Sequence, residues 1–364
     1  MRNLFVFYAN YFRQSVLKQR IKPRVLQMPV TSRCNSRCVT CKVWCTPGKY
    51  DMDAKALKEA LSDPFFSKVE VVGINGGEPS LYKNMEALLD ALFVLKRLKR
   101  LHVISNAMLA DRLLPMMRTL KQHCAKREVM MYLTVSMDGV EAVHDEVRGV
   151  AGAFAKTLHT LKALRENQTE YCDVLDIGCT LSQKNVDFVV QTECFADSLG
   201  IDAYYHPAVP NRRLHNFGAT DFGVLYDRRS LQLSTEYFYC RYKNAKGLRH
   251  KLRSYLTWFY LANKGRGRLA GCQYLRSDVT ITETLDLFLC ATASEKVGNL
   301  KEKSATELWK SGRMEQEARH VQRYCESCVH YIVFPSLRGI WCFVKQVLHP
   351  HVWILYKLKS LCLK

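Results

Sequence analysis

The sequence predicts an α/β protein, because short apolar runs alternate with stretches of helical periodicity through the first two-thirds of its 364 residues. Six of these runs have the length and composition of strands: residues 25–31, 69–75, 102–106, 131–137, 174–181 and 201–206. Strands that alternate with helices form parallel sheets with right-handed crossovers. A cysteine-rich stretch follows this array, so we expect a parallel β/α domain with a smaller extension.

The connections between these strands show the helical spacing of apolar residues. Asp53 can cap a helix over residues 54–61. A second apolar stripe consists of Leu88, Leu89, Leu92, Leu95 and Leu98, and a third of Phe188, Val189, Phe195 and Leu199. With 48% apolar residues, the chain can form one large core and a smaller one.

The cysteine content and the charge limit the class of protein. Fifteen cysteines would suggest disulfides in a secreted chain, but the apolar stretch at residues 4–12 contains Asn10 and is too short for a signal peptide. We therefore expect a cytoplasmic protein that uses cysteines as metal ligands. The formal charge of +20 indicates either an anionic partner or a solvated basic surface.

Three cysteines follow the first predicted strand with the spacing C-x3-C-x2-C: Cys34, Cys38 and Cys41. Three thiolates can each bind one iron of a cubic [4Fe–4S] cluster and leave the fourth iron open, whereas a four-cysteine site only stores or passes electrons. The second predicted strand ends in Gly76-Gly77-Glu78-Pro79. The two glycines allow a ligand to approach the backbone closely, and the glutamate can accept hydrogen bonds from a bound ammonium group.

These motifs resemble the radical S-adenosylmethionine (SAM) superfamily. The triad with Asn35, the run Asn75-Gly76-Gly77-Glu78-Pro79 and the run Ser136-Met137-Asp138-Gly139 have the order and rough spacing of that family, and Arg148-Gly149 follows. The resemblance narrows the fold to a partial (β/α)6 TIM-like barrel with a smaller cysteine-rich α+β extension. It also implies that the open iron binds SAM, and that reductive cleavage of SAM yields a 5′-deoxyadenosyl radical that abstracts hydrogen from a substrate.

The resemblance assigns six residues to SAM binding: Gly76, Gly77 and Glu78 at the methionyl amino end, and Asn106, Ser136 and Arg148 near the ribose and carboxylate. These residues lie at or beyond the carboxyl ends of predicted strands, where barrel enzymes gather their sites. Thr40 is a departure, because many members carry an aromatic residue there, near the adenine.

A second set of four cysteines has the spacing C-x17-C…C-x2-C: Cys272, Cys290, Cys325 and Cys328. Four thiolates can bind one zinc ion or a complete [4Fe–4S] cluster. Between the second and third of them, Gly298-Asn299-Leu300 and the helix-like residues 305–311 resemble the SPASM and Twitch extensions of radical SAM enzymes. The single set resembles the shorter Twitch form with one auxiliary [4Fe–4S] cluster, although Leu285 replaces a common glycine. Zinc is the alternative.

Five segments are predicted along the chain. They are a basic and apolar arm at 1–24, the radical SAM partial barrel at 25–210, a basic aromatic linker or insert at 211–270, a Twitch-like auxiliary cluster domain at 271–330, and a basic amphipathic tail at 331–364. The insert and the tail carry aromatic and basic residues without a membrane-spanning stretch. They can lie peripherally on an anionic membrane surface, or pack on the barrel and open its missing side to a partner.

Two clusters permit a net two-electron oxidation, since SAM cleavage consumes one electron and oxidation of the substrate radical returns one. We therefore expect a dehydrogenase-like radical SAM oxidoreductase supplied by a flavodoxin- or ferredoxin-type reductant. The catalytic acid or base is not assigned, although His206 at the end of the sixth predicted strand is a candidate.

The expected substrate is a small carbohydrate-like or nucleotide- or lipid-linked molecule. A peptide-modifying maturase is the alternative. The 24 residues before the first predicted strand disfavour it, because they are too few for a leader-peptide-binding domain. The alternative outside enzymology is a basic, zinc-containing nucleic-acid-binding protein. Such a protein has no use for an open three-thiolate site, so nucleic acid is not the expected partner.

Overall fold

The computed structural model describes residues 20–348, apart from 215, 273, 275, 276, 291, 326 and 331–334, together with Ala9 and Phe12. Most of the predicted N-terminal arm and the second half of the C-terminal tail therefore lie outside the described residues. The boundaries of the five predicted segments stay predictions.

Six parallel strands form the predicted barrel sheet, in the order β6-β5-β4-β3-β2-β1. They are β1 (Val25–Thr31), β2 (Val71–Gly76), β3 (Arg100–Ser105), β4 (Met130–Ser136), β5 (Val174–Leu181) and β6 (Ala203–Pro207). Each adjacent pair is consecutive in the chain, which is the topology of a β/α array. The predicted α/β class with a partial parallel barrel is confirmed.

Helices connect these strands and follow them. They are α1 (Ala54–Leu61), α2 (Met85–Leu92), α3 (Ala110–Ala125), α4 (Ala142–Arg148), α5 (Ala153–Glu166), α6 (Gln168–Tyr171), α7 (Val189–Ser198), α8 (Arg228–Asn244), α9 (Leu248–Ala262), α10 (Ala305–Lys310), α11 (Arg313–Cys325) and α12 (Leu337–Leu348). Helix α1 begins where Asp53 predicts, because the Asp53 carboxylate accepts hydrogen bonds from the Lys55 and Ala56 amides. Apolar residues of α1, α2, α3 and α5 pack with those of the barrel strands in one buried core.

Three short strands extend the same sheet beyond β1: β7 (Val279–Ile281), β8 (Asp286–Phe288) and β9 (Lys296–Asn299). Strand β7 runs parallel to β1, and β8 and β9 are antiparallel. Val279, Ile281 and Leu287 are fully buried in the main core, which fixes this hairpin to the barrel. The cysteine-rich segment therefore begins as a continuation of the barrel sheet.

A second core joins the basic aromatic insert to the barrel. Tyr255, Trp258 and Tyr260 of α9 are buried with residues of α8, β5 and β6. The ring of Trp258 stacks on Tyr242 of α8, with their centroids 6.0 Å apart. This aromatic run therefore packs on the barrel and is not exposed to a membrane. In the part of the chain that the structure describes, no helix has the length and hydrophobicity to cross a bilayer.

Candidate active site

The cysteine triad lines a cavity of about 250 Å³ at the carboxyl ends of the barrel strands. The loop after β1 that carries the triad is fixed by backbone hydrogen bonds to the end of α4. The Arg37 amide donates to the Arg148 carbonyl at 2.8 Å, and the Val39 amide to the Val147 carbonyl at 3.0 Å. All six residues that the resemblance assigns to SAM line the same cavity, namely Gly76, Gly77, Glu78, Asn106, Ser136 and Arg148.

The chemistry of the triad suits a bound cation. Burial raises the pKa of the Cys34 thiol to about 12 and also raises that of Cys41. Thiolates in this setting need positive charge beside them, which iron ions supply. Three thiolates, which are soft ligands, line one cavity and form a donor set that fits an iron–sulfur cluster.

Two glycines bring the end of β2 against the triad loop. A Cβ on Gly77 would lie 2.0 Å from the Arg33 carbonyl oxygen, and one on Gly76 would lie 2.6 Å from the Thr31 carbonyl oxygen. Gly76 also has a φ of +128°, which disfavours other residues. The Gly77 amide donates to the Thr31 carbonyl at 2.7 Å. The sequence suggested close approach by a ligand, whereas the atoms in closest approach here are backbone atoms of the triad loop.

Glu78, of which 1% is exposed, links β2 to β3 through its carboxylate. It accepts hydrogen bonds from the Ser105 hydroxyl at 2.7 Å and from the amides of Asn106 at 2.8 Å and Ser80 at 3.1 Å. Two carboxylate oxygens offer about four acceptor sites. The three protein donors therefore leave capacity for one more, as a bound ammonium group would require.

Asn106 continues this network into the triad loop. Its side-chain amide donates to Asn35 Oδ1 at 2.7 Å and to the Ser36 hydroxyl at 3.1 Å. Its Oδ1 accepts from the Met108 amide at 3.0 Å. The position of Asn106 at the end of β3 thus orients the loop between the first two cysteines.

A buried ion pair connects the fourth strand to the triad. Arg148 Nη2 lies 2.8 Å from Asp138 Oδ2, and its Nη1 donates to Cys38 Sγ at 3.7 Å. Burial raises the pKa of Asp138, even though Arg148 and the Thr180 amide stabilise its charged form. Asp138 was not among the predicted site residues. The sequence does show an acidic residue two positions beyond the end of a predicted strand. Its partner Arg148 could be identified only from the fold.

Ser136 at the end of β4 and His206 on β6 complete the barrel side of the cavity. His206 Nε2 lies 3.2 Å from the Thr180 hydroxyl. Burial and, to a smaller extent, the positive charge of Arg253 lower the pKa of His206 to about 4. Its imidazole is therefore neutral near pH 7.

The second cysteine set lines a smaller cavity: Cys272, Cys290, Cys325 and Cys328. Burial and, to a smaller extent, the three other cysteines raise the pKa of Cys325 to about 12. Backbone amides donate to two of the sulfurs, from Thr292 to Cys290 and from His330 to Cys328, both at 3.4 Å. Such hydrogen bonds tune iron–sulfur clusters.

No group of three or more His, Cys, Asp or Glu side chains within the described residues is arranged around a single ion. A cubic cluster bonds each thiolate to a different iron, whereas zinc needs all four at one atom. The metal at the second set stays a prediction.

The structure accommodates Leu285 at the position where related extensions commonly have glycine. Its φ is +64°, in the left-handed region that glycine adopts without strain. The side chain is fully buried in the main core. The strain, of about 1–3 kcal/mol for such a residue, is offset by that burial.

The two cavities share a wall. Thr292 and His330 line both of them. Asn216, which no motif in the sequence singles out, is bound to the triad loop, because its side chain donates to the Thr40 carbonyl at 2.9 Å. Trp44 lies beyond Thr40 in the cavity wall and is 37% exposed, so an aromatic face is available beside the triad.

Comparison with known proteins places this geometry in a family. Residues 28–190 match the model of the Radical SAM superfamily. The antilisterial bacteriocin subtilosin biosynthesis protein AlbA of Bacillus subtilis is 30% identical over 141 residues, which are 38% of this chain and 30% of AlbA. The AdoMet-dependent heme synthase of Methanosarcina barkeri is 26% identical over 193 residues, 50% of each chain. The chain therefore matches half or less of the length of these curated relatives.

The fold agrees with this assignment. The structure of native anSMEcpe with bound AdoMet and Cp18Cys peptide superposes with a TM-score of 0.60 at 14% identity, and the match covers 92% of this chain and 99% of that one. Together with the motifs, these matches confirm the predicted family and its two cofactors, a [4Fe–4S] cluster and SAM. Residues 28–190 of this chain therefore form a radical SAM domain.

Proposed function

We propose that this chain is an oxidoreductase that removes two electrons from its substrate with the help of two clusters. Cys34, Cys38 and Cys41 would hold the SAM-binding [4Fe–4S] cluster, and the second cysteine set an auxiliary one. When bound, the first cluster and SAM supply a hydrogen-abstracting radical, and the auxiliary cluster supplies an electron acceptor. The observation that carries the proposal is the wall of Thr292 and His330 that the two cysteine-lined cavities share.

The residues of the first cavity have distinct roles in this scheme. Glu78 has acceptor capacity left for the amino group of SAM, and Arg148 supplies positive charge for its carboxylate. Gly76, Gly77 and Ser136 line the cavity beside them, and Asn106 orients the triad loop. These assignments extend the family resemblance to this chain residue by residue.

A proton must also leave when an alcohol becomes a ketone. His206 is the residue that we propose for this task, because its neutral imidazole lines the cavity. The Thr180 hydroxyl at 3.2 Å orients the ring. His206 therefore takes the proton from a substrate hydroxyl, while the radical removes hydrogen from carbon.

The substrate class that we propose is a small carbohydrate-like or nucleotide- or lipid-linked molecule, with a flavodoxin- or ferredoxin-type protein as the reductant. Peptide modification is a second candidate of similar weight. It is favoured by the relatives, because AlbA is a bacteriocin biosynthesis protein and the anSMEcpe structure contains a peptide. The nucleic-acid-binding alternative does not account for the open three-thiolate site.

Anaerobic incubation with SAM, dithionite and a panel of sugar phosphates, nucleotide sugars and short peptides tests this function. We expect a product that has lost two hydrogen atoms and an equivalent amount of 5′-deoxyadenosine. The Cys325→Ala, Cys328→Ala variant should still cleave SAM without forming that product, because only the acceptor is lost. Product formation by this variant would contradict the two-cluster scheme, and turnover of peptides alone would select the second candidate.

We also propose that the protein lies peripherally on an anionic membrane through α12. Four exposed apolar residues recur there at helical spacing: Leu337, Trp341, Val344 and Leu348. Arg338 and Lys345 accompany them, and no acidic residue follows Glu326 in the sequence. Such a face suits the interface of an anionic bilayer.

Co-sedimentation with phosphatidylcholine vesicles, with and without phosphatidylserine, tests this position. We expect binding only to the anionic vesicles, and a lower bound fraction for Trp341→Ala, Leu348→Ala because the apolar contact is lost. Phe188→Ala, which removes an exposed ring elsewhere, is the control and should bind like the wild type. Equal binding of the α12 variant would contradict the proposal.

A further inference from the structure

We propose that a basic recess beside β6 binds a phosphoryl group of the substrate. The recess, of about 60 Å³, lies between this edge strand and helices α8 and α9. Its charged and polar walls include Tyr204, Arg241, Arg249, His250 and Arg253. Its connection to the reaction rests on the proposed function, whereas the binding of phosphate does not.

The charges around the recess are only partly neutralised by the protein. Arg241 has an acidic partner, with Nη1 3.0 Å from Glu193 Oε1. Arg249 and Arg253 form no ion pair among the described residues, and Arg253 is within electrostatic reach of both other arginines. The Arg253 guanidinium lies over the ring of Tyr204, 4.9 Å from its centroid. Two unneutralised guanidiniums are thus held close together.

This charge pattern selects a phosphate monoester over a carboxylate. A dianion neutralises both guanidiniums, whereas a carboxylate neutralises one. The planar guanidinium forks also match phosphate oxygens in bidentate hydrogen bonds. Asp176, the carboxylate within electrostatic reach of Arg253, is engaged by the Thr134 hydroxyl.

The recess is close to the proposed site of chemistry. Tyr204 and His206 are two residues apart on β6, so their side chains lie on one face of the strand, about 7 Å apart along it. His206 lines the active-site cavity, and Arg253 acts electrostatically on both residues. A phosphoryl group in the recess would leave the remainder of a small substrate beside His206.

Titration calorimetry of the holoprotein with inorganic phosphate tests the site. The same measurement with glucose 6-phosphate and with glucose tests whether a phosphate ester also binds there. We expect the Arg249→Gln, Arg253→Gln variant to bind phosphate at least about tenfold more weakly, since two charge-assisted hydrogen-bonding groups are lost. Arg228→Gln, Lys246→Gln is the matched control, because it removes the same charge from exposed positions outside the recess.

Unchanged affinity in the recess variant would overturn the proposal, as would an equal loss in the control, which would indicate attraction by net charge alone. SAM cleavage without substrate should be the same in all three proteins, so loss of the radical reaction is distinguished from loss of the subsite. If phosphate binds as expected while phosphorylated and unphosphorylated sugars are oxidised equally, the link between the recess and the substrate is wrong.

Discussion

Replacing Arg148 with methionine is expected to lower the free energy of unfolding by about 3–5 kcal/mol, because it leaves Asp138 as an unpaired buried charge. Asp138 is 3% exposed, and its Oδ2 lies 2.8 Å from the guanidinium. The same change removes the donor beside Cys38 Sγ. We therefore expect weaker retention of the first cluster and a large loss of SAM cleavage.

A double-mutant cycle separates the loss of stability from the loss of SAM cleavage. Adding Asp138→Asn to Arg148→Met removes both charges, so much of the stability should return. SAM cleavage should stay low in the double variant, since Cys38 still lacks its positive neighbour. Anaerobic urea denaturation measures the stability, and formation of 5′-deoxyadenosine measures the cleavage.

Arg118→Met is the control for these variants. Arg118 pairs with Glu170 at 2.9 Å, but both side chains are about half exposed. An exposed pair of this kind contributes little to the free energy of unfolding. If Arg148→Met lowered the free energy of unfolding by no more than Arg118→Met, the ion pair of Arg148 with Asp138 would not be what stabilises the site.

The barrel was predictable from sequence because its signals are local. Strands β1 and β5 have the predicted bounds, and the residues of the site follow strand ends, where a parallel barrel brings them together. Helix α1 also begins at its predicted cap. Each of these features depends on residues within a few positions along the chain.

Features that depend on distant partners were not predictable in the same way. Nothing near Asn216 indicates that it contacts Thr40, since 176 positions separate them. The aromatic run at residues 255–261 has a composition that suits either a membrane or a core, and only packing against α8 decides between them. Strands β7, β8 and β9 are three or four residues long, too short to show their periodicity or their partner β1.

The triple variant Cys34→Ala, Cys38→Ala, Cys41→Ala is expected to abolish reductive SAM cleavage. All three thiols line the first cavity, and without them an iron–sulfur cluster has no ligands there. The second cysteine set lies in a separate cavity with its own sulfur hydrogen bonds. Its metal should therefore be retained, so the variant separates the two sites.

Iron and acid-labile sulfide analysis of the anaerobically reconstituted protein, beside this triple variant, tests the account most directly. Two cubic clusters predict about eight irons in the wild type and about four in the variant, with sulfide in equal amount. About four irons falling to none would remove the auxiliary cluster and the two-electron scheme with it. Zinc without iron in the wild-type protein would contradict the account as a whole.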